Sequence, residues 1–233
     1  MKQQNFFHNI SKIKETESDP KIVKLFNEEE IKDILEFYQK IPKSTFNEKQ
    51  KIKKKHWHLE VDKKMDDFIK NKIDQILNDW EIDNMYCDQP AFGLFHESFN
   101  PLRLHVDTGH NSSNVIYKQV LIPLTDVGET IIYEPRWYGQ SSSFTSDKEE
   151  LNNAKGYNRR TNEHIGKEDF DKELYNKYLT YEDYSNLKGL KVKTIYEWKL
   201  GDAFIFDRTF IHCSSVLKKP KLGLGIFFNR KIS

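Results

Sequence analysis

In the segment LRLHVDTG, His105 and Asp107 are separated by a single residue. Residues i and i+2 of a strand point to the same face, so this spacing sets an imidazole and a carboxylate side by side. Thr108 and Gly109 then turn the chain, which leaves the pair at a strand end. Such a pair can hold one edge of a metal ion, and a third ligand must come from elsewhere. His212 fits that role: it ends the strand-like run TFIH, beyond a turn at Gly201-Asp202. The site would therefore be closed by the fold and not by local sequence. Two imidazoles and one carboxylate on one side of a metal leave its other side open to small molecules. The bland alternative is a hydrogen-bonded His-Asp pair that only braces a turn.

Other chemistry-bearing residues have simpler readings. His110 reads as a loop histidine, and His96 as a barrel histidine. His56 and His58 have H-x-H spacing, but they follow the lysine run Lys49, Lys51, Lys53, Lys54 and Lys55, so they read as surface or rim. That run could touch phosphate or an acidic substrate, but such a run is usually a solvated segment. Trp137 and Tyr138 line a substrate mouth or plug the barrel. Arg136 and Arg208 pair with a substrate carboxylate or with Asp207 or Glu134. Cys213 reads as a buried apolar thiol.

The elements that must position these residues follow from periodicity. Asn27 is a good N-cap, and Glu30 is placed to close a capping box before the stripe Ile31, Ile34, Leu35 and Tyr38. Pro42 stops that helix. A second helix is predicted over about 61–80 from the 3–4 spacing of Val61, Met65, Phe68, Ile69, Ile73, Ile76, Leu77 and Trp80. Eight short β-type segments follow, at 91–99, 102–106, 115–124, 130–133, 194–198, 203–206, 209–213 and 222–228. They predict an antiparallel sandwich or barrel. A polar interruption at about 139–190, with one weak helix at 168–179, reads as a lid or a loop. The expectation is one domain over residues 1–233, with helices in 1–80 and a β-core in 81–233.

Composition narrows the classes. Lys+Arg 37 against Asp+Glu 36 gives a net charge of +1 in 233 residues, without the basic excess of a generic nucleic-acid binder. A mean hydropathy of -0.78 and no long apolar run argue against a membrane span. The charged start has no secretory h-region, and Cys87 and Cys213 form no disulfide framework. A cytoplasmic protein is expected, and nothing in the sequence sets an oligomeric state.

Taken together, H-x-D (His105, Asp107), G-E-T (Gly128 to Thr130), G-D-A-F-I-F-D (Gly201 to Asp207), the distal His212 and a basic residue after it resemble the 2-oxoglutarate and Fe(II)-dependent dioxygenases. The chain is similar in particular to their prolyl-hydroxylase-like and phytanoyl-hydroxylase-like branches, over about 91–139 and 192–230. The resemblance implies a mainly β fold, with a double-stranded β-helix (jelly-roll) core packed against the N-terminal helices. It implies Fe(II) on His105, Asp107 and His212, which are also the catalytic set, and 2-oxoglutarate as co-substrate. Dioxygen would be consumed, succinate and CO2 released, and a small-molecule or peptidyl substrate hydroxylated. The family places a cation for the distal carboxylate of 2-oxoglutarate near the start of the last core strand, where Lys221 stands after Pro220. Many relatives have arginine there, and lysine lacks its bidentate fork. Lys118 and Arg230 are the other candidates for that seat. Two competing readings keep the same residues: a cupin-like zinc or other metal hydrolase, which the same donors also suit, and a non-catalytic jelly-roll binding module.

Overall fold

The computed structural model of the chain describes residues 9–42, 44–59, 61–83, 91–109, 116–144 and 168–231. His110, Cys87, the first eight residues and the stretch 145–167 of the expected insertion lie outside them. Asn9 accepts from Lys12 N to open a short helix, α1 (Ile10–Lys14), and β1 (Lys21–Lys24) follows. At the next helix, Asn27 Oδ1 accepts from Glu30 N and Glu30 Oε2 accepts from Asn27 N, both at 2.9 Å. This reciprocal capping box satisfies two otherwise orphaned N–H groups and starts α2 (Glu28–Lys40) where its sequence predicts. β2 (Thr45–Asn47) and β3 (Ile52–His58) come next.

The second long helix, α3 (Lys63–Asp74), is shorter than its apolar spacing predicts. Gln75 N turns back to the carbonyl of Lys72 and tightens the last turn, and Asp79, with φ of 51°, swings the chain into β4 (Trp80–Ile82). Leu77 remains buried and Ile76 packs on the same core, so loop residues continue the stripe without continuing the helix.

Each of the eight segments expected as strands overlaps one: β5 (Ala91–Ser98), β6 (His105–Val106), β7 (Ile116–Pro123), β8 (Glu129–Arg136), β10 (Val192–Glu197), β11 (Asp202–Asp207), β12 (Phe210–Ser214) and β13 (Lys221–Arg230). β9 (Ser142–Ser143), α4 (Lys172–Tyr178) and a 3-10 turn at Tyr184–Leu187 lie between β8 and β10. All pairings are antiparallel. The larger sheet runs β1-β11-β7-β13-β5-β3-β2 with β4 added on β13, and the smaller runs β10-β8-β12-β6-β9.

The period of two in β11 shows how the layers stack. Ala203 and Ile205 join the cluster formed with Ile31, Ile34 and Phe37 of α2 and Ile69 and Ile73 of α3. Phe204 and Phe206 point the other way, to Ile132 of β8 and Phe210 of β12 in the smaller sheet. The outer face of the smaller sheet is covered in turn: Ile131, Tyr133 and Ile211 pack against Phe170, Leu179, Leu187 and Leu190. Residues 168–190, expected as a lid or loop, therefore form a supporting layer beneath that sheet. The physical reason is that a sheet face carrying such side chains must be covered by apolar surface. Among the described residues, no helix is long and apolar enough to cross a membrane.

Candidate metal centre and its cavity

β6 is only two residues long, yet its register decides the site: His105 lies directly opposite His212 of β12. The two rings stand 4.2 Å apart between centroids. Asp107, one residue beyond the end of β6, places its Oδ2 3.8 Å from His105 Nε2 and 3.4 Å from His212 Nε2. One ligand atom from each of the three lies within 4.8 Å of the others.

Both imidazoles are oriented by the backbone. His105 Nδ1 is 2.7 Å from the carbonyl of Arg103, and His212 Nδ1 is 3.0 Å from that of Phe210. A carbonyl can only accept, so each Nδ1 carries the proton and each Nε2 keeps its lone pair toward Asp107. The carboxylate is held by its own backbone. Arg208, fully buried, donates from Nε to the Asp107 carbonyl at 2.7 Å and pairs through Nη1 with Asp83 at 2.7 Å. After Asp107, Gly109 takes φ of 88°, a conformation that favours glycine, and its N–H donates to Ser141 Oγ. Burial, with His212 next to it, pulls the His105 pKa down to about 4, although Asp107 opposes this. Two neutral imidazole nitrogens and a carboxylate oxygen, converging from one side, fit a divalent cation with open positions on its other side.

The three residues open into a cavity of about 310 Å³ between the two sheets. Leu94, Leu121, Phe206 and Phe227 supply apolar walls; Lys54, His96, Ser98, Gln119, Thr130 and Lys221 supply polar groups. Lys221 is 2% exposed and is one of the residues that line the cavity. Its Nζ stands 3.7 Å over the Trp198 ring and donates to the Glu129 carbonyl at 3.1 Å. Burial pulls its pKa down to about 7, against the pull of Glu129. Gly223 makes this stack possible, because a Cβ there would come within 2.6 Å of the Trp198 ring. Trp198 Nε1 in turn donates to Thr130 Oγ1 at 2.8 Å. Two buried oxygens on the cavity wall, Ser98 Oγ and Gln119 Oε1, have no hydrogen-bond partner among the described residues.

The other sequence candidates sort by position. Lys118 turns away from the cavity: it forms an ion pair with Asp207 and donates to Thr16 O and Ser18 Oγ. Arg230 stands at the far end of β13, 3.7 Å from Glu15, and does not line the cavity. Arg136 takes the structural alternative, 2.7 Å from Asp207. Trp137 packs beneath the smaller sheet, and Tyr138 donates to Glu17; neither lines the cavity. Cys213 is buried beside Tyr133, and burial pushes its thiol up to about 12. His96 does line the cavity, and burial beside Lys54 and Lys221 lowers it to about 4.

Trp198 and Arg103 are among the cavity residues that escaped the sequence reading, and Lys54 was read only with its run. Trp198 sits just past β10 and read as part of a strand. Lys54 read as part of a solvated run, but β3 is a strand pairing with β5, so the run alternates faces. Lys54 enters the cavity, whereas Lys55 is buried on the other side, over the Tyr38 ring at 4.4 Å. Ile52 and Trp57, both buried, were the available signal for a strand there.

No protein-family model and no curated protein matches the sequence. Solved structures do match. The non-heme alpha ketoglutarate dependent epimerase SnoN from nogalamycin biosynthesis is 10% identical, with 91% of this chain and 78% of that one covered and a TM-score of 0.55. Its complex with Fe3+, alpha ketoglutarate and nogalamycin RO gives 9%, 91%, 78% and 0.55. HygX from Streptomyces hygroscopicus with nickel and 2-oxoglutarate bound is 9% identical, covers 94% of this chain and 85% of its own, and has a TM-score of 0.51. At these identities the likeness is one of fold.

Proposed function

We propose that this chain is an Fe(II)- and 2-oxoglutarate-dependent dioxygenase that hydroxylates a small-molecule or peptidyl substrate, with release of succinate and CO2. The observation that carries the reading is the convergence of His105, Asp107 and His212 at the wall of a half-open cavity. The fold is shared with SnoN and HygX, whose structures hold iron or nickel and the 2-oxo acid. On this reading the two antiparallel sheets are the faces of a double-stranded β-helix.

His105 Nε2, Asp107 and His212 Nε2 hold the metal on one side. When bound, Fe(II) would activate dioxygen, which is the oxidant for C–H hydroxylation, with oxidative decarboxylation of 2-oxoglutarate supplying two of the four electrons. Lys221 is the residue assigned to the distal carboxylate of 2-oxoglutarate. Its ammonium is the buried cation of the cavity, and an entering carboxylate would restore the solvation that burial removed. Thr130 and Trp198 hold that ammonium's surroundings in place. Leu94, Leu121 and Phe206 keep water from the reacting centre.

The test is reconstitution with Fe(II) and measurement of succinate formed from 2-oxoglutarate. Wild-type protein is expected to bind one equivalent of metal and form succinate, and a substrate product gaining one oxygen atom identifies hydroxylation. His105→Ala and His212→Ala are expected to lose both metal and succinate formation. Zinc retained without 2-oxoglutarate binding would assign the site to a hydrolase, and a wild-type protein that binds no metal would leave a binding module.

A further inference from the structure

We propose that the substrate carries a hydrogen-bond donor, an O–H or N–H group, on an otherwise apolar body, and that Gln119 accepts from it at the metal end of the cavity. The proposal rests on the oxygenase reading above and names the substrate class for the same site.

Register places the carboxamide. Gln119 of β7 lies opposite Phe206 of β11 and opposite Phe227 of β13, and all three line the cavity. Cross-strand partners share one face of a sheet, so the carboxamide is set between two aromatic side chains. The Phe206 ring stands 5.1 Å from the His212 ring, which puts this part of the wall at the candidate metal centre. Lys221 is six residues back along β13 from Phe227, ~20 Å of extended strand. Gln119 therefore stands well away from the seat assigned to the distal carboxylate of the co-substrate.

Hydrogen-bonding capacity then selects the ligand. Gln119 is 5% exposed, and its Oε1 is buried without a hydrogen-bond partner among the described residues. A carbonyl oxygen between aromatic rings is costly to leave unpaired. The 2-oxoglutarate dianion offers acceptors only. It can satisfy Ser98 Oγ, the other unpartnered oxygen of this wall, because a hydroxyl donates and Ser98 lies opposite Lys221. It cannot satisfy Gln119 Oε1. The missing donor therefore comes with the substrate, and Leu121, Phe206 and Phe227 favour an apolar body around it. An analogue without that donor leaves the acceptor unpaired, so the same residue discriminates between substrates.

Phenol, aniline and toluene are the probes: their shapes are nearly the same, and phenol and aniline donate where toluene cannot. Their dissociation constants are measured by ligand-observed NMR on the full chain loaded with Zn(II) and saturated with 2-oxoglutarate. The proteins compared are the wild type and Gln119→Met, which keeps the side chain's length and loses its amide. Ratios between probes cancel their different hydration. The affinities of phenol and aniline relative to toluene are each expected to fall about tenfold from wild type to Gln119→Met. Should that variant fail to fold, Gln119→Leu is read in the same way. Unchanged ratios overturn the proposal, as does a wild type that binds none of the probes. So does a fall for phenol alone, which marks the carboxamide as a donor to the phenol oxygen. Weakened 2-oxoglutarate in Gln119→Met also overturns it, because Gln119 then belongs to the co-substrate's seat. If the wild type binds no 2-oxoglutarate, the oxygenase reading falls separately. The same ratios measured without the co-substrate still decide the donor site: dependence on Gln119 supports it, and independence overturns it.

Discussion

Lys221 concentrates the energetic tension of the site. A lysine has an ordinary pKa of 10.5, and here burial draws it down to about 7. Between those values the unfolded chain binds a proton that the folded chain does not, so stability rises with pH across that window. The ligand-free wild type is therefore expected to gain stability between pH ~7 and ~9 relative to Lys221→Met, as read by chemical denaturation at each pH. Parallel pH profiles would contradict the buried cation. A bound carboxylate favours the charged form and raises the same pKa. Binding of 2-oxoglutarate above pH 7 is thus expected to take up a proton, and its affinity to fall as pH rises. Lys221→Met should weaken 2-oxoglutarate by roughly 10–100-fold. Metal affinity should not change, because no metal ligand is touched. Calorimetry in buffers of different ionisation enthalpy measures both quantities.

Strands and helices position these residues in ways that single substitutions can separate. The pairing of β13 and β5 sets Gly223 against His96, and Trp198 lies over Gly223 on the cavity side. In Gly223→Ala the new Cβ meets the indole at 2.6 Å, so the ring must shift away from Lys221. Weakened 2-oxoglutarate with retained metal binding is the expected outcome, and an unchanged 2-oxoglutarate affinity would show that the stack is not needed. Helix α2 offers the converse case. Removing its cap in Asn27→Ala should cost about 1 kcal/mol in denaturant melts. Metal and co-substrate affinities of the folded protein should stay the same, because α2 packs on the outer face of the larger sheet.

The molecule is a stack: helices, larger sheet, cavity, smaller sheet and the 168–190 layer. His105 and His212 of the candidate metal centre belong to the smaller sheet, while Lys54 and Lys221 belong to the larger one. The cavity therefore depends on both sheets being supported from outside. Leu187 is fully buried in the outermost layer. Leu187→Ala is expected to cost ~2–5 kcal/mol of stability, with metal affinity of the folded fraction preserved. A variant of full stability that has lost control of substrate access would instead mark residues 168–190 as a lid.

Local pattern reached far at the level of elements. The capping box at Asn27 and Glu30 and the positions of eight strands follow from spacing, because a cap and a period of two are properties of adjacent residues. The H-x-D pair was legible for the same reason. His212 was placed by its strand-end position, and the β6–β12 register then put it opposite His105. Lysines were not legible in this way. Lys54, Lys55, Lys118 and Lys221 look alike in sequence, yet one lines the cavity beside His96, one lies over the Tyr38 ring, one pairs with Asp207 and one rests on Trp198. Composition and periodicity determined that this chain folds into sheets carrying a His-Asp-His set. Only the tertiary structure decided which cations face the cavity, because strand register and the packing of distant segments, neither encoded locally, choose the face that each side chain occupies.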